Sequence, residues 1–84
     1  KGEFELYESD VKAGYMTYVW AGEDKFIIDH TEVYPEFGGR GFGRKLVDAA
    51  VEFARENNLK IIPLCPYAKG VFDKTDEIKD VLSK

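Results

Sequence analysis

The chain has 84 residues with one cysteine, and its 12 basic and 16 acidic side chains leave a formal net charge of −4. That balance argues against general binding to nucleic acid or to anionic membrane surfaces, and a lone cysteine excludes an intrachain disulfide and a cysteine-rich zinc site. With 44% hydrophobic residues and dispersed charge, the composition is that of one small folded domain over residues 1–84, which buries only about 60–65% of its unfolded surface. No signal peptide and no long apolar run are present, so a cytoplasmic, reducing location is expected, with no membrane and no metal involvement. The first residue is Lys1 rather than Met, which leaves upstream residues open.

Phe4 to Ser9 reads as a strand with Phe4 and Leu6 on one face. Asp10-Val11-Lys12-Ala13-Gly14 reads as a turn, and Tyr15-Met16-Thr17-Tyr18-Val19-Trp20 as a second strand, rich in aromatic and β-branched residues. Ala21 to Asp24 is the next turn. A third strand runs from Phe26 to Tyr34 and stops at Pro35. The short turns imply an antiparallel meander. From Gly43 to Asn57, Leu46, Val47, Ala50, Val51, Phe53 and Ala54 recur at three- and four-residue spacing, which predicts an amphipathic helix. Asn57-Asn58 ends it, because Asn tolerates the left-handed conformation. Leu59 to Leu64 is a fourth strand, and a right-handed crossover makes strands three and four parallel. A short helix over about Ala68 to Lys74 is expected, then another behind Thr75 as N-cap. The predicted class is α+β, a mixed sheet in β-β-β-α-β-α order. Tyr15, Tyr18, Trp20 and Phe26 read as cross-strand packing, and Arg55-Glu56 as a solvated helix face.

Between strand three and the long helix, Gly38, Gly39, Gly41 and Gly43 fall within six residues, with Arg40, Arg44 and Lys45 beside them. A tight turn alone needs one or two glycines, not four. Glycines here let backbone N–H groups converge without Cβ interference, and the helix N-terminus adds partial positive charge. The combination is an anion site suited to phosphate or pyrophosphate. A P-loop reading fails, since Gly43-Arg44-Lys45-Leu46 lacks the hydroxyl residue that holds magnesium. The glycine spacing also misses the dinucleotide fingerprint.

Val33-Tyr34-Pro35 followed by Gly38-Gly39-Arg40-Gly41-Phe42-Gly43 resembles the signature of the GNAT superfamily of acyl-CoA-dependent N-acyltransferases, with Gly38 where the family carries Gln or Arg. The segments Asp29-His30-Thr31-Glu32-Val33, Ala54 to Lys60 and Pro63-Leu64-Cys65-Pro66-Tyr67 are similar to its small, YjdJ-like members. The resemblance covers about Lys25 to Leu82, more than half of the chain. It implies a GNAT-like mixed sheet and a CoA pyrophosphate on the N–H groups of Gly38, Gly39, Arg40, Gly41, Phe42 and Gly43, with Arg40, Arg44 or Lys45 nearby. It also implies that strands three and four splay apart. The pantetheine arm then lies along Thr31 and Val33, and a backbone N–H polarises the acyl carbonyl.

Amine acetylation needs a base for the amine proton and an acid for the departing thiolate. His30 is the only histidine and titrates near neutrality, so it is either the base or a structural residue. Strand alternation puts His30, Glu32 and Tyr34 on one face, and Ile27, Asp29, Thr31 and Val33 on the other. Glu32 matches in position a strand glutamate that some superfamily members use as base; otherwise it is a solvated edge charge. Cys65, at the end of strand four, is an acyl carrier, a thiol acid or a small buried hydrophobe. Phe72 stands where many members carry a tyrosine acid, which leaves Cys65 and Tyr67 as substitutes; Tyr67 can equally be packing. The implied function is transfer of an acetyl group from acetyl-CoA, as cosubstrate, to an amine. The alternative is a CoA-binding module without turnover. Ser9 to Gly14 is too short for the helices with which larger relatives build an acceptor site, so that pocket is open or completed by a partner. A monomer or weak homodimer is expected.

Overall fold

The computed structural model describes residues 2–83. Three strands, β1 (Gly2–Glu8), β2 (Val11–Trp20) and β3 (Lys25–Val33), lead through a 3₁₀ turn at Pro35–Phe37 into α1 (Phe42–Glu56). Then follow β4 (Lys60–Pro63), α2 (Pro66–Lys74) and a 3₁₀ segment, Asp76–Val81. The sheet runs β1-β2-β3-β4, with the first two pairings antiparallel and β3–β4 parallel. No helix among the described residues is long and apolar enough to cross a membrane.

β2 begins four residues before the sequence-based reading. Of the residues expected to form a turn, Val11, Lys12 and Gly14 pair with β1 instead, with Ala13 at a register shift between them. Only Ser9 and Asp10 turn the chain, both at positive φ (51° and 69°), which is what a two-residue hairpin of matching twist requires. Behind Thr75 the chain forms 3₁₀ structure rather than an α-helix, and the Thr75 side chain makes no cap. After this segment, Leu82 bridges Ile61 at the free edge of β4, where Ser83 N donates to Ile61 O at 2.8 Å.

The core lies between one face of the sheet and the helices. Met16, Phe26, Ile28 and Ile61 meet the apolar stripe of α1 (Leu46, Val47, Ala50, Val51 and Ala54), and Ala68, Phe72, Ile78 and Val81 close it. Each of the larger side chains among them (Val, Leu, Ile, Met or Phe) contributes about 1.5–3 kcal/mol by leaving water. An aromatic cluster of Phe4, Tyr18, Trp20, Phe26 and Phe53 seals the end remote from the glycine segment. Tyr15 is not part of it; it stands on the opposite face beside His30. Arg55 is a tertiary clamp, not a solvated charge: it reaches Asp80 through two nitrogens at 2.8 and 3.0 Å and Glu77 O at 2.8 Å.

Candidate functional site

β3 and β4 pair only as far as Ile28↔Pro63. There Ile28 O accepts from both Leu64 N and Cys65 N at 3.0 Å, and the chain turns into α2. β3 continues to Val33 against β2 alone. The β4 side of residues 29–33 is therefore backbone without a strand partner, and the strands splay.

A register shift in the β2–β3 ladder makes Asp29 an extra residue between Tyr18↔Ile28 and Thr17↔His30. The bulge changes the expected face assignment. Asp29, hydrogen-bonded by Thr17, lies with His30 and Glu32 on the outer face. Thr31 and Val33 turn inward, on the same side as buried Phe26 and Ile28. Strict alternation fails because a bulge inserts one unpaired residue and inverts the parity beyond it.

On the inner side a cavity of about 390 Å³ opens between β3 and the helix N-termini. Thr31 and Val33 form one wall, Gly38, Gly39, Gly41 and Gly43 the floor, and Tyr67 the rim. Gly41 is the N-cap of α1 at φ 75°, ψ 17°, the left-handed region that favours glycine. No side chain caps α1 and no acidic residue occupies its first turn, so its leading N–H groups face the cavity uncompensated. Gly43 has a second reason to be glycine: a Cβ would lie 2.7 Å from the Tyr67 ring. The Thr31 hydroxyl oxygen is buried with no hydrogen-bond partner among the described residues. These features fit an extended ligand with a diphosphate at one end and amide groups along its length: an uncapped helix start, a glycine floor and an orphaned hydroxyl on the wall.

Cys65 is buried at the N-cap of α2 within the core cluster; it stands behind the wall and does not line the cavity. Burial pushes its thiol pKa up. The Ala68 N–H, the Thr31 hydroxyl and the backbone of Tyr67 and Thr31 together outweigh burial and hold it below the ordinary value. Thr31 lies beside the sulfur without a hydrogen bond of ordinary geometry, so its influence is that of a nearby dipole. Tyr67 is about half exposed, and Phe72 is fully buried in the core.

On the outer face His30 Nε2 and the Tyr15 hydroxyl both lie 3.3 Å from Glu32 Oε1, and the Tyr34 ring is 6.2 Å from that of Tyr15. No described helix covers this face. The sequence-derived candidates thus divide into two sets across β3. Thr31, Val33, the glycine segment and Tyr67 face the cavity, while His30 and Glu32 stand outside with Tyr15, which the sequence reading placed among packing aromatics. Of the basic side chains, Arg44 pairs with Asp48 at 2.9 Å and Arg40 with Glu8 at 2.8 Å. No metal-binding cluster of His, Cys, Asp or Glu occurs among the described residues.

Residues 3–81 match the family described as GCN5-related N-acetyl-transferase. The solution structure of a GCN5-like protein from Staphylococcus aureus superposes with a TM-score of 0.80 at 40% identity, covering 99% of this chain and 82% of that one. A ribosomal-protein-alanine N-acetyltransferase from Brucella melitensis shares the fold, with a TM-score of 0.73 at 16% identity over 86% of this chain and 60% of its own. Protein NATD1 of Xenopus tropicalis is 36% identical over 52 residues, 62% of this chain and 48% of that protein; the match spans about half the length of this curated relative. The cavity sits at the splay and glycine segment that the sequence pattern singled out, and the chain belongs to the GCN5-related N-acetyltransferase family.

Proposed function

We propose that the chain is an acetyl-CoA-dependent N-acetyltransferase acting on an amine, with residues 1–84 forming a minimal catalytic domain. The observation that carries this reading is the uncapped start of α1 opening onto the cavity beneath the orphaned Thr31 hydroxyl. The N–H groups of residues 38–43 hold the diphosphate, Arg40, Arg44 and Lys45 add positive charge, and the free edge of β3 at Thr31 and Val33 receives the pantetheine arm. When bound, the thioester supplies an activated acetyl group.

Cys65, its thiol favoured toward ionisation by the N–H groups at the start of α2, either attacks as thiolate, taking the acetyl group as the CoA thiolate leaves and passing it to the amine with return of its own thiolate, or, as thiol, protonates the departing sulfur. Tyr67 at the rim is the other available acid. His30 or Glu32 takes the amine proton on the outer face, where His30 Nε2 lies 3.3 Å from Glu32 Oε1. Calorimetry with acetyl-CoA, followed by a screen of amines monitored by CoA release, tests the reading. Failure to bind acetyl-CoA sinks it.

A second reading, binding of CoA without turnover, is favoured by Phe72. It stands where the resemblance expects a tyrosine acid and is sealed in the core, so neither its chemistry nor its position serves the thiolate. Binding with no CoA release across the amine screen selects this reading.

A further inference from the structure

The three basic side chains around the glycine segment are committed in different ways. Arg44 Nε donates to Asp48 Oδ1 one turn along α1. Lys45 lies over the Phe42 ring at 5.1 Å and has no carboxylate in ion-pair range among the described residues. Arg40 alone reaches out of the segment. Its Nη1 donates to both carboxylate oxygens of Glu8, at 2.8 and 3.0 Å. Its guanidinium carbon sits 5.7 Å from the centre of the Phe37 ring, which stacks on Phe42. Nε and Nη2 of Arg40 make no hydrogen bond among the described residues.

Arg40 does not line the cavity. Its guanidinium therefore stands outside the glycine floor, held at one nitrogen and by one ring face, with the other edge uncommitted. Glu8 is the last residue of β1, fixed by its pairing with Val11, so it cannot follow Arg40 if the guanidinium turns. Both side chains are about half exposed (52% and 42%), and an exposed pair of this kind is weak. A phosphate monoester carries more charge than a carboxylate and matches the guanidinium fork, so it outcompetes Glu8 for Arg40.

We propose that Glu8 is a built-in competitor for Arg40, and that Arg40 selects ligands bearing a phosphate monoester outside the diphosphate site, as the 3′-phosphate of CoA is. The proposal rests on the reading that the diphosphate lies on the glycine segment. Ligand binding exchanges Glu8 for the monoester, and Glu8 sets how much affinity that phosphate adds.

The test is calorimetry of CoA and 3′-dephospho-CoA with the wild type, Glu8→Gln and Arg40→Gln at one ionic strength, with circular dichroism establishing that each variant is folded. The wild type is expected to favour CoA by about fivefold to tenfold, the scale of one charge-assisted contact. Glu8→Gln is expected to raise CoA affinity about threefold to fivefold and to leave dephospho-CoA within about twofold, the scale of an exposed ion pair. Arg40→Gln should bind the two ligands equally. Equal affinities in the wild type, or an unchanged preference in Arg40→Gln, overturn the role of Arg40. Glu8→Gln that leaves CoA affinity unchanged, or weakens both ligands alike, overturns the competition and leaves the pair as a brace between loop and sheet. If neither ligand binds the wild type, the cofactor reading itself fails and this proposal falls with it, an outcome distinct from equal binding.

Discussion

Replacing Gly41 with valine separates the backbone requirement of the loop from its ligand requirement. Gly41 sits at φ 75°, ψ 17°, where an L side chain costs about 1–2 kcal/mol, with a β-branched residue at the upper end. A Cβ there meets no protein atom within 4 Å, so no clash adds to that strain. In a domain of this size 1 kcal/mol shifts Tm by about 4–8 °C, and a total stability on the order of 5–15 kcal/mol leaves the variant folded. The side chain occupies the floor of the cavity, where it keeps an anion from the leading N–H groups of α1. Each charge-assisted bond lost removes about 1.5–3 kcal/mol, or roughly tenfold to a hundredfold in affinity. Thermal melts followed by circular dichroism, with acetyl-CoA titrations by calorimetry, read the two effects apart. Gly41→Asn is the control: Asn enters the left-handed region readily, so it should melt near the wild type yet lose affinity like valine. A valine variant that folds and binds acetyl-CoA as tightly as the wild type moves the anion site off this loop.

Affinity for acetyl-CoA should fall between low and high ionic strength, because the proposed ligand is polyanionic and Arg40, Arg44 and Lys45 stand beside the glycine segment; a flat titration series counts against a phosphate role for them. Arg55→Met should lower Tm by undoing the clamp on the Asp76–Val81 segment. Arg55 holds the Asp80 carboxyl below its ordinary value of 3.8, so the stability it adds is present above that value and lost as pH falls through the lower folded one. The Tm gap between wild type and variant should therefore close in acid, and a gap that is constant with pH excludes the ion pair as its source. Cys65→Ala should lose turnover while acetyl-CoA binding persists, and incubation with acetyl-CoA alone should add an acetyl mass to the wild type only if Cys65 carries the group. Full activity in Cys65→Ala removes both its covalent and its acid roles.

Elements whose identity rests on local pattern were legible in the sequence. The α1 stripe from Leu46 to Ala54, the parallel β3–β4 crossover and the left-handed stop at Asn58 (φ 56°) all follow from spacing and residue type. Features set by long-range geometry were not. Val11 to Gly14 looks like a turn by composition but is held extended by β1, and nothing local signals that Ser9-Asp10 suffices to reverse the chain. The bulge at Asp29 carries no sequence mark, since Asp-His-Thr-Glu-Val reads as uninterrupted alternation; only pairing with β2 reveals it. Arg55 looks like a surface charge because its partners lie 22 and 25 residues away. The glycine segment was legible as a special turn ahead of the long helix, and it lines the cavity. The reason for Gly43 was only partly so, because the Tyr67 ring that fills its missing side chain arrives from another helix.

The bulge also explains how so short a chain brings two chemistries to one strand. All described helices lie on one side of the sheet, so the cavity can form only there, and β3 supplies its wall through Thr31 and Val33. The titratable pair His30 and Glu32 is exposed on the other side. Were Asp29 held in a regular ladder and not in a bulge, continuing the alternation from buried Ile28 would turn His30 and Glu32 inward and send Thr31 and Val33 out. One inserted residue thus inverts the parity of the strand where β4 leaves it. On the proposed function, a ligand lying along the splay is walled by Thr31 and Val33 on the inner face, and an amine approaching from the outer face meets the His30–Glu32 pair. Deleting Asp29 should close the bulge yet keep both faces: His30 takes the outward place next to Ile28, and Thr31 and Val33 stay turned inward. The loss is then the hydrogen bond that Thr17 donates to Asp29, about 1 kcal/mol, read by urea denaturation, with acetyl-CoA affinity expected to be unchanged. A deletion variant that unfolds or loses acetyl-CoA affinity shows that the bulge shapes the strand in a further way and is not only a parity device.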